Sequence, residues 1–117
     1  MANSLTATVI IPSLGRGDSL STCLASLKEQ TYPHDTLVLT EEGPLARIRN
    51  QGLARATGDI VCFIDDDVVC PPTWLEAVVG GFTSLSIVGV SGPAVIPSEN
   101  LRQRDLFRWP LLKAGYD

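Results

Sequence analysis

Nothing in the 117-residue sequence approaches the roughly 20 consecutive apolar residues of a membrane-spanning helix. Met1 to Thr6 has no basic region leading into an apolar run, so no signal peptide is expected. Basic residues are few, with 9 Lys and Arg against 13 Asp and Glu and a formal net charge of −4. No basic stripe stands out, which argues against a general nucleic-acid surface. The three cysteines, Cys23, Cys62 and Cys70, are odd in number and lack CxxC spacing. A disulfide framework or a zinc site is thereby disfavoured, and free thiols in a reducing cytosol are expected. The single histidine, His34, sits in the turn Tyr32-Pro33-His34-Asp35 and reads as a solvated turn residue. There is no internal repeat and no low-complexity tract. The length suits one small domain, and a hydrophobic content of 44% is enough for a single core.

Strands and helices alternate along the chain. Thr8-Val9-Ile10-Ile11, stopped by Pro12, predicts a central strand. Ser13 to Asp18 forms a loop with two glycines, and Asp18 or Ser19 is expected to cap a helix. Leu20, Cys23, Leu24 and Leu27 keep helical spacing as far as Gln30, before the breaker Thr31-Tyr32-Pro33. Thr36 to Thr40 predicts a second strand ending in Glu41-Glu42-Gly43-Pro44. A second helix covers about Leu45 to Ala56, with Gly58 as its C-terminal stop. Pro71 and Pro72 are expected to open a third helix through Trp74, Leu75, Val78 and Phe82. Ile87 to Val90 and Ala94 to Ile96 suggest one or two further strands. The tail Ser98–Asp117 interleaves basic and apolar residues and is not assigned. Such alternation predicts an α/β fold with a mostly parallel sheet and right-handed crossovers.

Asp59 to Asp67 draws the most attention. Five apolar residues, Ile60 to Ile64, run straight into Asp65-Asp66-Asp67, which reads as a buried strand ending in three carboxylates. Like charges so placed are costly unless compensated. The carboxyl ends of strands are also where open α/β sheets bind ligands. If the segment stays extended, Asp65 and Asp67 share one side and Asp66 takes the other. Oxygen ligands suit Mg²⁺ or Mn²⁺, which commonly take one or two carboxylates plus phosphate oxygens and water. Pro12-Ser13 with Arg16, and Glu41-Glu42, end the other two strands. Arg47, Arg49 and Asn50 lie between the second and third. Guanidinium groups beside a cation site are what a diphosphate needs.

These stretches resemble the nucleotide-binding half of family-2 glycosyltransferases, which have the GT-A fold. The matching pieces are Val9-Ile10-Ile11-Pro12 with Arg16, Leu27 to Pro33, Glu41-Glu42-Gly43, Arg49 to Ala54, Gly58-Asp59 and Phe63 to Asp67. Pro72-x-Trp74-Leu75 and Gly89-Val90 to Pro97 also fit. The resemblance implies a three-layer α/β/α sandwich, Rossmann-like and apparently truncated. Its core would span about residues 7–97, with 98–117 as a tail. It further implies that Pro12, Ser13 and Arg16 line the base and ribose, with Glu41 and Glu42 where the family usually has aspartates. Arg49, Asn50, Asp65 and Asp66 would contact the nucleotide sugar, and Asp65 and Asp67 would hold Mn²⁺ or Mg²⁺ as a DxD element. The implied reaction moves a sugar from a nucleoside diphosphate sugar to an acceptor hydroxyl of a glycan, lipid or protein, with inversion.

An inverting displacement needs a general base near the acceptor hydroxyl. Glu76 falls on a helix, and Glu99, Asp105 and Asp117 fall in the unassigned tail, so no catalytic residue is assigned. The expectation is donor binding with poor transfer, a C-terminal half or partner chain supplying the rest. The alternative is a non-catalytic nucleotide-binding fragment. Asp65-Asp66-Asp67-Val68-Val69 also satisfies the DxDx(T/V) pattern of aspartate-nucleophile phosphatases. That motif follows a first strand, however, and here two strand–helix units precede it. A receiver domain would need its acidic pair after the first strand, which here ends in Pro12-Ser13. The expected location is cytoplasmic, extending to a peripheral position at the inner face of the membrane.

Overall fold

The computed structural model describes residues 5–14, 17–84 and 86–92. Strand and helix alternate strictly as β1 (Ala7–Pro12), α1 (Gly17–Lys28), β2 (Asp35–Leu39), α2 (Leu45–Arg55), β3 (Ile60–Phe63) and α3 (Trp74–Gly80). The three strands form one parallel sheet in the order β2-β1-β3. Ile10 of β1 stands opposite Leu37 on one side and Phe63 on the other. β1 takes the centre because Thr8 to Ile11 can be buried on both faces. All four are essentially fully enclosed. Pro12 then ends the strand, since it has no N–H to offer the ladder.

Side chains leave the strands alternately, so the sheet feeds two cores. Ala7, Val9 and Ile11 of β1, with Ile60 and Cys62 of β3 and Ile64, pack against Cys23 and Leu27 of α1 and Leu75 of α3. Ile10 and Leu39 pack on the opposite face against Ile48 of α2. Each fully buried aliphatic side chain contributes about 1.5–3 kcal/mol. The chain steps from β1 to β2 with α1 on one face, then back across to β3 with α2 on the other. Right-handed crossovers produce that arrangement when successive steps run in opposite directions. The result is the three-layer α/β/α architecture expected from the sequence.

Two glycines owe their presence to close approach. A methyl group on Gly52 would lie 2.8 Å from Ile10 Cγ2, so its absence lets α2 close on β1. Gly58 is not the stop of α2, which ends at Arg55 with Ala56 as its cap residue. A Cβ there would lie 2.7 Å from the Thr8 backbone nitrogen. Its N–H donates to Thr8 Oγ1 at 2.9 Å, which satisfies a hydroxyl buried in the sheet.

Several boundaries differ from expectation. α1 begins at Gly17, so Asp18 lies inside the first turn, where its charge complements the helix dipole. Pro71 and Pro72 precede α3, with Trp74 N–H donating to Pro71 O at 2.9 Å in a turn. α3 stops at Gly80, which leaves Phe82 beyond it. Ile87 to Val90 is not a strand among the described residues. Ile87 N–H donates back to Ser84 O, and Val88 is 96% exposed, with no strand beside it among the described residues. The strand expected at Ala94 to Ile96, and the tail 98–117, lie outside the described residues.

Candidate functional site

The ladder continues past both strands that frame the acidic cluster. Ser13 N–H donates to Leu39 O at 2.8 Å, and Ile64 N–H donates to Ile10 O at 3.1 Å. Regular strand geometry stops at Phe63, and Asp66-Asp67 forms a turn in which Val68 N–H donates to Asp65 O at 3.2 Å. Ser13 and Asp66 thereby reach each other across the top of the sheet. The hydroxyl donates to Asp66 Oδ2 at 2.8 Å, and the pair is buried. Asp66 is 1% exposed, whereas Asp65 and Asp67 are exposed. The segment is not extended as pictured from the sequence, yet the partition survives, with one carboxylate inward and two outward.

A cleft of about 330 Å³ opens at these strand ends, lined by Pro12, Ser13, Leu14, Gly43, Leu45, Ile48, Asp65 and Asp66. Its lining is largely apolar, with the Ser13 hydroxyl and the Asp65 and Asp66 carboxyl groups as its polar side chains. It lies over the carboxyl ends of β1 and β3, where open α/β sheets place ligands. On the side of α1, Cys23 Sγ lies 3.7 Å from Asp65 O. Burial raises the pKa of this thiol, and the charges of Asp66 and Asp67 add to the rise. Cys23 is therefore a neutral S–H, suited to donate to that carbonyl.

Of the residues expected at the site, Pro12, Ser13, Asp65 and Asp66 come together in the cleft, with Asp67 beside them on the turn. Glu41, Glu42, Arg49 and Asn50 are not among its lining residues. Glu41 Oε2 instead meets Arg55 Nη2 at 3.6 Å, both side chains well exposed, a pairing worth under about 1 kcal/mol. Glu42 and Asn50 are exposed. Arg49 follows Ile48 by one residue, a rotation of about 100°, and its guanidinium stands 5.9 Å from the Phe63 ring centroid. The Arg49 Nε and Glu41 Oε1 atoms are enclosed with no hydrogen-bond partner among the described residues. Arg16 lies outside the described residues.

Sequence reasoning missed the cleft's apolar walls, Leu14, Leu45 and Ile48. Its usual signals treat exposed leucines as surface and buried ones as core. Of the two arginines that the sequence offers to a diphosphate, Arg47 is the one placed near the cleft. A methyl group on Gly43 would touch Arg47 Nη1 at 3.8 Å, so this guanidinium lies along the loop that forms one lip of the cleft.

No group of three or more His, Cys, Asp and Glu side chains among the described residues is placed to hold a metal ion. Asp65 and Asp67, both exposed on the acidic turn, offer oxygen ligands alone. A cation such as Mg²⁺ commonly takes one or two carboxylates and completes its shell with phosphate oxygens and water.

Residues 38–115 match the family model for glycosyl transferase family 2. The chain belongs to that family. The matched range takes in α2, β3, the acidic turn and α3, while β1 and α1 lie ahead of it. The chain is also 29% identical over 122 residues to the amylovoran biosynthesis glycosyltransferase AmsE of Erwinia amylovora. That similarity covers 80% of this chain and 46% of AmsE, so the chain spans about half the length of the curated relative. For a family-2 glycosyltransferase chain, the three-layer architecture matches what the sequence resemblance implied.

Proposed function

We propose that this chain forms the donor-binding part of a glycosyltransferase, taking a nucleoside diphosphate sugar in the cleft over β1 and β3. The observation that carries this is the convergence of Pro12, Ser13, Asp65 and Asp66 on one cleft at the carboxyl ends of two adjacent parallel strands. Leu14, Leu45, Ile48 and Pro12 offer flat apolar contact suited to a nucleobase. Asp65 accepts from ribose hydroxyls or helps hold a cation. Arg47, on the lip of the cleft, pairs with diphosphate oxygens. Asp65 and Asp67 would hold Mn²⁺ or Mg²⁺, which offsets charge developing on the leaving diphosphate. Asp66, buried against Ser13, anchors the turn and does not face the ligand with a free carboxylate.

The reaction assigned to the site is transfer of the sugar to an acceptor hydroxyl with inversion. The acceptor site and general base come from chain beyond the described residues or from a partner. Donor binding with little transfer is the expected behaviour of the 117 residues by themselves. Titration of UDP, GDP and dTDP with and without Mn²⁺, followed by thermal unfolding, tests the assignment. A diphosphate at about a hundred times its dissociation constant stabilises by about 2.7 kcal/mol. Metal-dependent stabilisation abolished by Asp67→Ala supports the donor site. No response to any nucleotide removes it.

A further inference from the structure

The stretch Leu27 to Pro33 takes no part in lining the cleft, yet its polar side chains act on the segment that follows the acidic turn. Gln30 stands just past the end of α1 and is half-buried. Its Nε2 donates to Pro71 O at 2.7 Å and Ser26 O at 3.2 Å, and lies 3.4 Å from Cys70 O. Its Oε1 accepts from Leu75 N–H at 2.9 Å. Two neighbours reinforce it: Ser26 Oγ accepts from Cys70 N–H at 3.1 Å, and Thr31 N–H donates to Pro72 O at 2.9 Å. Leu75 lies in the first turn of α3, where N–H groups lack helical partners. Thr73, the residue before that helix, makes no side-chain capping bond, so Gln30 supplies an acceptor from another element.

The consequence for the site follows from what lies between. Val68 and Val69 are 36% and 61% exposed, so little packing fixes the path from Asp67 to Cys70. The turn is instead held at its two ends. Ser13 grips Asp66 on one side, and Ser26 with Gln30 grips Cys70 and Pro71 on the other. We propose that Gln30 is a positioning residue that sets the geometry of the Asp65–Asp67 turn through the Cys70 and Pro71 backbone. In its functional consequence this rests on the donor-site assignment above.

The test compares wild type with Gln30→Met, which keeps length and loses the hydrogen bonds. Thr22→Val, which removes one side-chain bond to Asp18 O on the same helix, serves as control. Amide exchange at Val68 and Cys70 is measured together with the dissociation constant of whichever Mn²⁺–nucleoside diphosphate (UDP, GDP or dTDP) binds wild type. Gln30→Met is expected to speed both amides and weaken the nucleotide by about tenfold or more, with Thr22→Val unchanged in both. Unchanged exchange overturns the inference, as does faster exchange with wild-type affinity. If wild type binds none of the nucleotides, the donor-site assignment fails separately. The exchange comparison alone then decides whether Gln30 orders the turn. Should Gln30→Met not fold, Gln30→Glu keeps the acceptor for Leu75 and loses the donor to Pro71. It is expected to loosen Cys70 while Leu75 stays protected, and equal protection of the two overturns the inference.

Discussion

Ser13 Oγ donates to Asp66 Oδ2 at 2.8 Å, joining the carboxyl ends of β1 and β3 across 53 residues of sequence. Three adjacent aspartates thereby acquire different roles. Ser13→Ala removes a hydrogen bond to a buried carboxylate and is expected to cost about 1.5–3 kcal/mol. Asp65→Ala and Asp67→Ala alter exposed side chains and are expected to stay within about 0.5 kcal/mol of wild type. Urea unfolding at constant slope measures all three. Equal losses for Ser13→Ala and Asp65→Ala would contradict the division.

Three glycines form a matched set. At Gly58 an added methyl group meets backbone at 2.7 Å, which cannot swing aside, and at Gly52 it meets Ile10 and Leu39 side chains at 2.8–3.0 Å. At Gly80 nothing lies within 4 Å. Gly58→Ala and Gly52→Ala are expected to destabilise by about 1–3 kcal/mol, Gly58→Ala the more. Gly80→Ala, at the end of α3, is expected to be neutral or to stabilise by up to about 1 kcal/mol. Thermal unfolding of the three single variants gives the ranking.

Asp59 accepts from Thr6 N–H at 2.9 Å and from Thr6 Oγ1 at 3.0 Å. The backbone bond, and then the hydroxyl, hold its carboxyl below the ordinary 3.8. A carboxyl depressed by folding stabilises the fold above its unfolded value. That contribution fades as the pH falls through the lower folded value. An NMR titration of Asp59 is expected to give a midpoint under 3.8, moving upward in Thr6→Val. A wild-type midpoint at or above the ordinary value contradicts the assignment.

Cys23, Cys62 and Cys70 are buried free thiols in one core cluster. Burial, with Cys23 and Cys62 close by, pushes Cys70 up to about 11, and burial raises the other two. Thiolate, the reactive form, is therefore scarce at neutral pH. A chromogenic disulfide reagent at pH 7.5 is expected to react at the rate of unfolding, releasing one equivalent per buried cysteine only in denaturant. Rapid reaction of the native chain would show that the cluster opens.

Much of the fold is legible in the sequence because it rests on local pattern. The β-branched run Thr8 to Ile11, the spacing of Leu20, Cys23, Leu24 and Leu27, and the apolar run before Asp65 each encode one element. They do so with little help from the rest of the chain. The end of β3 could be recognised as a site because carboxylates there are costly. Which carboxylate is buried could not be read, since that depends on a serine 53 positions away. Order along the chain points Glu41 and Arg49 at the crevice. Their partners, Arg55 and Phe63, are set by helix rotation and loop path. In the sequence Gln30 reads as a helix end, and its partners Pro71 and Leu75 appear only once α1 and α3 share a face.

β1 pairs in parallel with both neighbours, and neither pairing closes through a tight turn. The second of them closes a loop of chain that contains α1, β2 and α2. Contacts of such long sequence separation slow folding, because chain entropy is lost before they form. The cleft has no existence in a chain that has zipped only β1 to β2, because Asp65 and Asp66 arrive with β3. A nucleotide bound in the proposed cleft would therefore report the β1–β3 pairing, whose partners are the farther apart in sequence. During refolding, the appearance of binding is expected to lag behind the growth of helical signal.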